Sequence, residues 1–285
     1  MADGLQINEE LLKKYAELVR EWSGIYFSNS NVIVLERKIL SRCKEKGYTP
    51  DEYFDLLSKD YEELISFLDS ITTNFNKFFR HSEQFELIRL ELIPKIALKR
   101  RVQGVDKIRL WSAGSATGEE PYSLLITALE SIKENMLDFS VEVIASDISL
   151  RCIEIAQRGV YSPEKLEGIP EYIIEEYFRN LPDGKFEVKE EYKKYVRFDY
   201  HNLMYDNGLR NIDIVMCRNV LIYLDQESIS KVIENIYRAL RDDGYLFLSP
   251  AESLFGITYK FKPNKEKGVF FYTKALFLSL KGFFE

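Results

Sequence analysis

Apolar positions along the chain change their period near residue 105. Before it they fall three and four apart: Leu11, Tyr15, Leu18, Val19 and Trp22, then Leu35, Ile39, Leu40 and Cys43. That spacing lays one apolar stripe along a helix. Thr49-Pro50-Asp51-Glu52 reads as an N-cap, a proline at the first helical position and an acid in the first turn; Tyr53, Phe54, Leu56 and Leu57 fill the helix behind it. Leu64, Ile65, Leu68 and Ile71 make another. No strand is predicted in this part.

After residue 105 short apolar runs alternate with helical stretches. Strands are predicted at 108–113, 141–146, 195–198, 212–217 and 245–249, and helices at 121–134, 149–158 and 226–241. Strands separated by helices of this length imply right-handed crossovers and a mostly parallel sheet. A last pair, near 259–261 and 269–274, has no helix between and reads as an antiparallel hairpin at the sheet edge. The stretch DGKFEVKEEYKKYVRF (183–198) breaks the rhythm, and its Asp-Gly turn between alternating flanks predicts a small β insertion. The expected division is a helical domain over 1–73, a linker and connecting helix over 74–104, and an α/β domain over 105–285 with the insertion at about 180–198.

Composition narrows the function. Hydrophobic residues make up 46% of the 285 and charged residues 30%, as in globular proteins with a sizeable core. A net charge of −7 argues against nucleic acid or an anionic membrane as a partner of the whole surface. No run approaches the ~20 apolar residues of a membrane span, and MADGLQINEELLKK lacks the apolar core of a secretion signal. Cys43, Cys152 and Cys217 are odd in number and far apart, so a reducing, cytoplasmic setting is expected. With two histidines, His81 and His201, no metal site is expected, and no G-x-S-x-G elbow marks a hydrolase.

An open parallel sheet binds ligands at the carboxyl ends of its strands. Three turns lie there. WSAGSATGEEPYS (111–123) is neither G-x-G-x-x-G nor a P-loop. Its glycines either let backbone approach a ligand or simply make a tight strand-to-helix connection. Asp147, in ASDI, either accepts hydrogen bonds from a ribose or caps the next helix. Arg218 and Asn219, in CRNVLIY, sit where a buried strand ends; the arginine grips a carboxylate or makes a structural ion pair. Cys217 has no base beside it and reads as a buried structural thiol. Outside the sheet, TTNFNKFFR (72–80) alternates amides with aromatics and reads as a lid over the ligand or a packed hinge.

Taken together, these stretches resemble the chemotaxis receptor methyltransferases, the CheR family. TTNFNKFFR, WSAGSATGEEPYS, ASDIS, CRNVLIYLD and GYLFLSPAES occur in the family's order and spacing, from the N-terminal helices almost to the C-terminus. The resemblance implies a class I methyltransferase sheet, Rossmann-like and seven-stranded, with an N-terminal all-helical domain and a small β subdomain. It implies S-adenosylmethionine (SAM) as cofactor, giving S-adenosylhomocysteine, and glutamate side chains on the cytoplasmic helical domain of chemoreceptors as substrate. By position, Asn74, Asn76, Arg80, Glu120, Asp147, Asn202, Leu203, Arg218 and Asn219 line the SAM site, with Arg218 and Tyr223 near the transferred methyl. The family usually has Thr where this chain has Asn76. On this reading Asp147 holds the ribose, Arg80 meets the methionyl carboxylate, and Arg218 orients the substrate carboxylate.

The helix ERKILSRCKEKG offers Arg37, Lys38, Arg42 and Lys46 as a basic docking face for an acidic receptor helix; a solvated face is the alternative. The short hairpin at 183–198 suggests a form independent of a receptor tether peptide. The enzyme is expected to act as a monomer, without nucleic acid and without inserting into a membrane. A class I methyltransferase with another substrate, or a non-catalytic SAM-sensing module that binds receptors, is the competing reading.

Overall fold

The computed structural model describes residues 6–28, 31–72 and 76–275. Four helices form the first domain: α1 Glu9–Ser23, α2 Val32–Lys46, α3 Pro50–Leu57 and α4 Tyr61–Ile71. Their starts follow local chemistry. Asn8 accepts the Leu11 amide, Asp60 accepts the Glu63 amide, and Thr49 with Glu52 closes a capping box around Pro50. The expected apolar stripes pack against each other: Leu11, Tyr15 and Val19 of α1 meet Leu35 and Ile39 of α2, Tyr53 of α3, and Phe67 and Leu68 of α4.

A helical run then leads into the sheet: α5 Ser82–Leu87, a π-turn at Ile88–Leu92 and α6 Ile93–Val102. The α/β domain continues with β1 Lys107–Ala113, α7 Glu119–Glu134, β2 Ser140–Asp147, α8 Leu150–Arg158, β3 Val160–Tyr161, α9 Glu171–Tyr177, β4 Phe178–Asn180, β5 Phe186–Val188, α10 Glu190–Lys193, β6 Val196–Tyr200 and β7 Ile212–Met216. It ends with α11 Gln226–Ala239, β8 Leu240–Phe247, β9 Phe261–Glu266 and β10 Val269–Lys274. The seven-stranded sheet has the order β6-β2-β1-β7-β8-β10-β9; the first five strands are parallel, and β10 runs antiparallel to β8 and β9. This is the class I SAM methyltransferase fold.

Because helices cover both faces, the strands are apolar on both. Ile108 and Leu110 of β1, with Val143, Ile214 and Phe247, pack on the α6–α7 side. Trp111, Ile144, Val215 and Leu246 pack on the α11 side.

Two expectations shift. The small β subdomain does not coincide with 180–198. Its three strands are β3, β5 and β4, so it begins at residue 160, and 196–200 leave it to pair with β2 in the main sheet. Two- and three-residue strands are too short to show a period. Strand β8 starts at Leu240, not 245, because Arg241, Asp242 and Asp243 hide its beginning in a charged stretch. There Arg100, buried, ties Asp213 of β7 to Asp243 of β8 at 2.7 Å each.

Among the described residues no helix is long and apolar enough to cross a membrane, and no group of three or more His, Cys, Asp or Glu is placed to hold a metal. Cys43, Cys152 and Cys217 are free and buried.

Candidate active site

β1 lies between β2 and β7 at the point where the connections change direction, and a crevice opens at the carboxyl ends of these strands. Its volume is about 350 Å³, within the range of small-molecule sites. Every site residue expected from the sequence that the structure describes lines it: Asn76 and Arg80 from the linker, Glu120 from α7, Asp147 from β2, Asn202 and Leu203 after β6, and Arg218, Asn219 and Tyr223 after β7. Asn74 lies outside the described residues.

The glycine turn does more than connect β1 to α7. The Gly114 and Ser115 amides donate to the Ser146 carbonyl, at 2.8 and 3.0 Å, and the Ala116 amide donates to Asp147 Oδ2 at 2.8 Å. Three successive amides are thereby spent on the end of β2. Gly114 also lets a neighbour in: a Cβ there would stand 2.4 Å from a methyl of Val220. The two acids behind the turn separate. Glu120 faces the crevice, whereas Glu119, fully buried, meets Lys165 Nζ at 2.7 Å, and that lysine also donates to the Asn76 carbonyl.

The cap of α8 is Ser149, whose hydroxyl accepts the Cys152 amide at 3.1 Å, and Asp147 lines the crevice just ahead of it. Asp147 Oδ1 accepts the Ser149 amide at 2.9 Å, opening the turn into α8. Burial raises its pKa above the ordinary aspartate value, against the lowering effect of the amides it accepts. Asn202 is held by the helical domain: its amide group donates to the Trp22 carbonyl at 2.8 Å, and its oxygen accepts the Met204 amide at 2.9 Å.

Arg218 is almost fully buried. Its Nε donates to Glu120 Oε2 at 2.7 Å, its Nη1 donates to the Arg80 carbonyl and to Gln84 Oε1, and the guanidinium stacks over Phe85, 5.1 Å from the ring centre. Glu120 in turn accepts from Ser112 Oγ at 2.7 Å. The structural ion pair is therefore present, with Glu120, and the same arginine lines the crevice. Burial pushes the Cys217 thiol next to it well above the usual range, which keeps it neutral.

No motif or spacing pointed to the crevice's outer wall. Ser23 at the end of α1, Ile25, Tyr26 and Phe27 just past it, and Val34 on α2 close it from the helical domain. Ile25 bridges Leu224, and the Tyr26 amide donates to the Tyr223 carbonyl at 2.8 Å. Tyr223, 39% exposed, stands at the mouth. Periodicity within one domain cannot reveal a wall made by another.

The basic docking face needs correction. Arg42 donates to Glu63 Oε1 at 2.5 Å and to Ser66 Oγ at 2.9 Å, and Lys46 pairs with the other Glu63 oxygen. Burial works against the Glu63 charge, yet its hydrogen bonds with Lys46, Tyr53 and Arg42 hold its pKa below the usual value. Arg42, half-buried, and Lys46, exposed, both turn to the Glu63 carboxylate, which at 6% exposure must be paired. Arg37 and Lys38 stay exposed.

The lining fits SAM. A carboxylate offers about four lone-pair sites, so Asp147 can accept from a ribose diol while keeping its two backbone bonds. The acids Glu120 and Asp147 suit a cationic sulfonium. His201, also in the lining, has a buried Nε2 without a protein partner.

Comparisons with known proteins agree with this geometry. The family model described as CheR methyltransferase, SAM binding domain, matches residues 74–270, and the CheR methyltransferase all-alpha domain matches 10–72. A chemotaxis protein methyltransferase of Borreliella burgdorferi is 32% identical over 257 residues, covering 88% of this chain and 91% of the relative. Chemotaxis protein methyltransferase 1 of Vibrio cholerae is 36% identical over 265 residues, covering 90% and 94%. Among solved structures, magnesium protoporphyrin IX methyltransferase from Synechocystis with bound SAM is 17% identical, with a TM-score of 0.33 over 63% of this chain and 74% of that one; the fold assignment rests instead on the strand order. With both domains matched along most of their length, the chain belongs to the CheR methyltransferase family of SAM-dependent enzymes.

Proposed function

We propose that this methyltransferase esterifies glutamate side chains on the helical cytoplasmic domain of chemoreceptors, with SAM in the crevice between the glycine turn and the loop after β7. The observation that carries the reading is the crevice itself: Asp147 and Asn202 from the ends of β2 and β6, and the Glu120–Arg218 pair and Tyr223 from α7 and the loop after β7, meet at the switch point of a class I sheet.

A glutamate carboxylate, with an ordinary pKa of about 4.3, is ionised at neutral pH and needs no general base. Bound in the crevice, SAM supplies an electrophilic methyl on a sulfonium, so the C–S bond breaks as the C–O bond forms and no proton changes hands. What the protein contributes is alignment and exclusion of water, which can supply up to about 7–11 kcal/mol of the barrier. Arg218 is suited to the inner wall. Its charge is balanced by Glu120, so it shapes the site without quieting the nucleophile through a free ion pair. Tyr223, at the mouth, shapes the path of the incoming side chain. Asp147 holds the ribose, Asn202 and Leu203 flank the base, and Arg80 meets the methionyl carboxylate. On the receptor side, Arg37 and Lys38 are the part of the α2 face left for docking.

Titration of SAM into the protein by calorimetry, followed by labelled methyl transfer to a receptor cytoplasmic fragment, tests this. The expected result is saturable SAM binding and label on the receptor that is released by base, the mark of a carboxyl ester. Base-stable label would place the methyl on another group, and binding without transfer would favour the sensing module.

A further inference from the structure

Glu252 lies outside the crevice, in the loop after β8, yet it holds the loop after β7 from behind. Its Oε1 accepts the amides of Val220 and Leu221, at 2.9 and 2.8 Å; its Oε2 accepts the amide of Asn219 at 2.9 Å and the amide and hydroxyl of Ser249, at 3.0 and 2.7 Å. One carboxylate thus gathers three consecutive amides that no helix or strand satisfies. The loop needs it. Asn219 adopts a left-handed backbone (φ 58°), a conformation that costs a non-glycine residue free energy unless its surroundings enforce it. Val220 then passes against Gly114, and the short helical turn Leu221–Tyr223 carries Tyr223 to the mouth.

We propose that Glu252 is a positioning residue for methyl transfer: its carboxylate fixes the segment from Arg218 to Tyr223 in the shape that presents these side chains to cofactor and substrate. This rests on the role given above to the loop. An amide in place of the carboxylate has the same size, but its NH2 group would oppose backbone donors. In Glu252→Gln, amide hydrogen exchange at 219–221 should quicken, and kcat should fall about tenfold or more, with receptor KM changing less than about threefold. Both are read below the melting transition and at unchanged SAM stoichiometry, so loss of folded protein does not enter. Ser249→Ala, which removes only the hydroxyl bond, should shift both readouts the same way by a smaller factor, and it carries the test if Glu252→Gln does not fold.

A folded Glu252→Gln with wild-type exchange at 219–221, or with faster exchange and wild-type kcat, overturns the proposal; a lower melting temperature alone is likewise not enough to sustain it. Failure of the underlying reading looks different. There, wild-type protein binds no SAM while the loop amides remain protected in a Glu252-dependent way, and the claim to a role in methyl transfer falls with it.

Discussion

Asp147 joins structure and chemistry in one side chain, and this makes its substitution informative. It accepts from Ala116 and Ser149, so removing it frees two backbone donors as well as any ribose contact. Asp147→Asn keeps size and one acceptor oxygen. It should weaken SAM binding by about ten- to a hundredfold, the value of one or two hydrogen bonds to a charged group, measured by calorimetry. Unchanged affinity would end the ribose assignment. The pH dependence has a definite sign. Burial raises this carboxyl's pKa, so ionisation opposes folding; a ligand that hydrogen-bonds to the ionised form releases protons as it binds. SAM affinity should therefore fall as pH drops through the raised pKa, at higher pH than an ordinary aspartate would give, and Asp147→Asn should flatten that slope. At this scale the sequence was informative, since the described residues carried over by motif line one crevice. Glu252 escaped notice although its stretch was recognised, because a carboxylate acting through backbone amides of a distant loop leaves no local pattern.

At the scale of elements, the helix α2 looked like one basic face and is two. Lys38, Arg42 and Lys46 recur every four residues, yet Arg42 and Lys46 lean on Glu63 of α4. Helical periodicity tells which residues share a face, not which neighbouring helix that face meets. The division predicts two unlike phenotypes. Arg42→Glu would set a second carboxylate against Glu63 and should cost on the order of 3 kcal/mol of stability, read by urea denaturation. Arg37→Glu with Lys38→Glu should change stability by less than about 0.5 kcal/mol. If these exposed cations dock the receptor, that double variant raises receptor KM about three- to tenfold at low salt, and the effect shrinks as salt rises. An unaltered KM would leave α2 without a role in docking. Strands and helices of the α/β domain were legible because their apolar runs are long. The small β sheet was misplaced because its strands are not.

For the whole molecule, the two domains share one crevice, and their contact is arranged at Gly24. This residue ends α1 with φ 76°, and a Cβ there would stand 2.6 Å from Met204 Sδ. The glycine therefore allows the chain to turn off α1 towards Leu224, and it lets the helical domain close onto the 202–204 loop, where Asn202 reaches the Trp22 carbonyl. Arg20, one turn earlier, fastens the same contact through Asp225 at 2.6 Å, and Asp225 also caps α11. Gly24→Ala should act in two ways. The left-handed backbone should cost roughly 1–2 kcal/mol of stability. The displaced Met204 should shift Leu203 and Asn202 and weaken SAM binding by about tenfold or more, since misplacement of a site residue by as little as ~1 Å is expensive. Denaturation and calorimetry on the same variant separate the two. Loss of stability with full SAM affinity would mean that the helical domain only shelters the crevice. Loss of both would mean that it helps to build the cofactor site itself, through the 202–204 loop on which it closes.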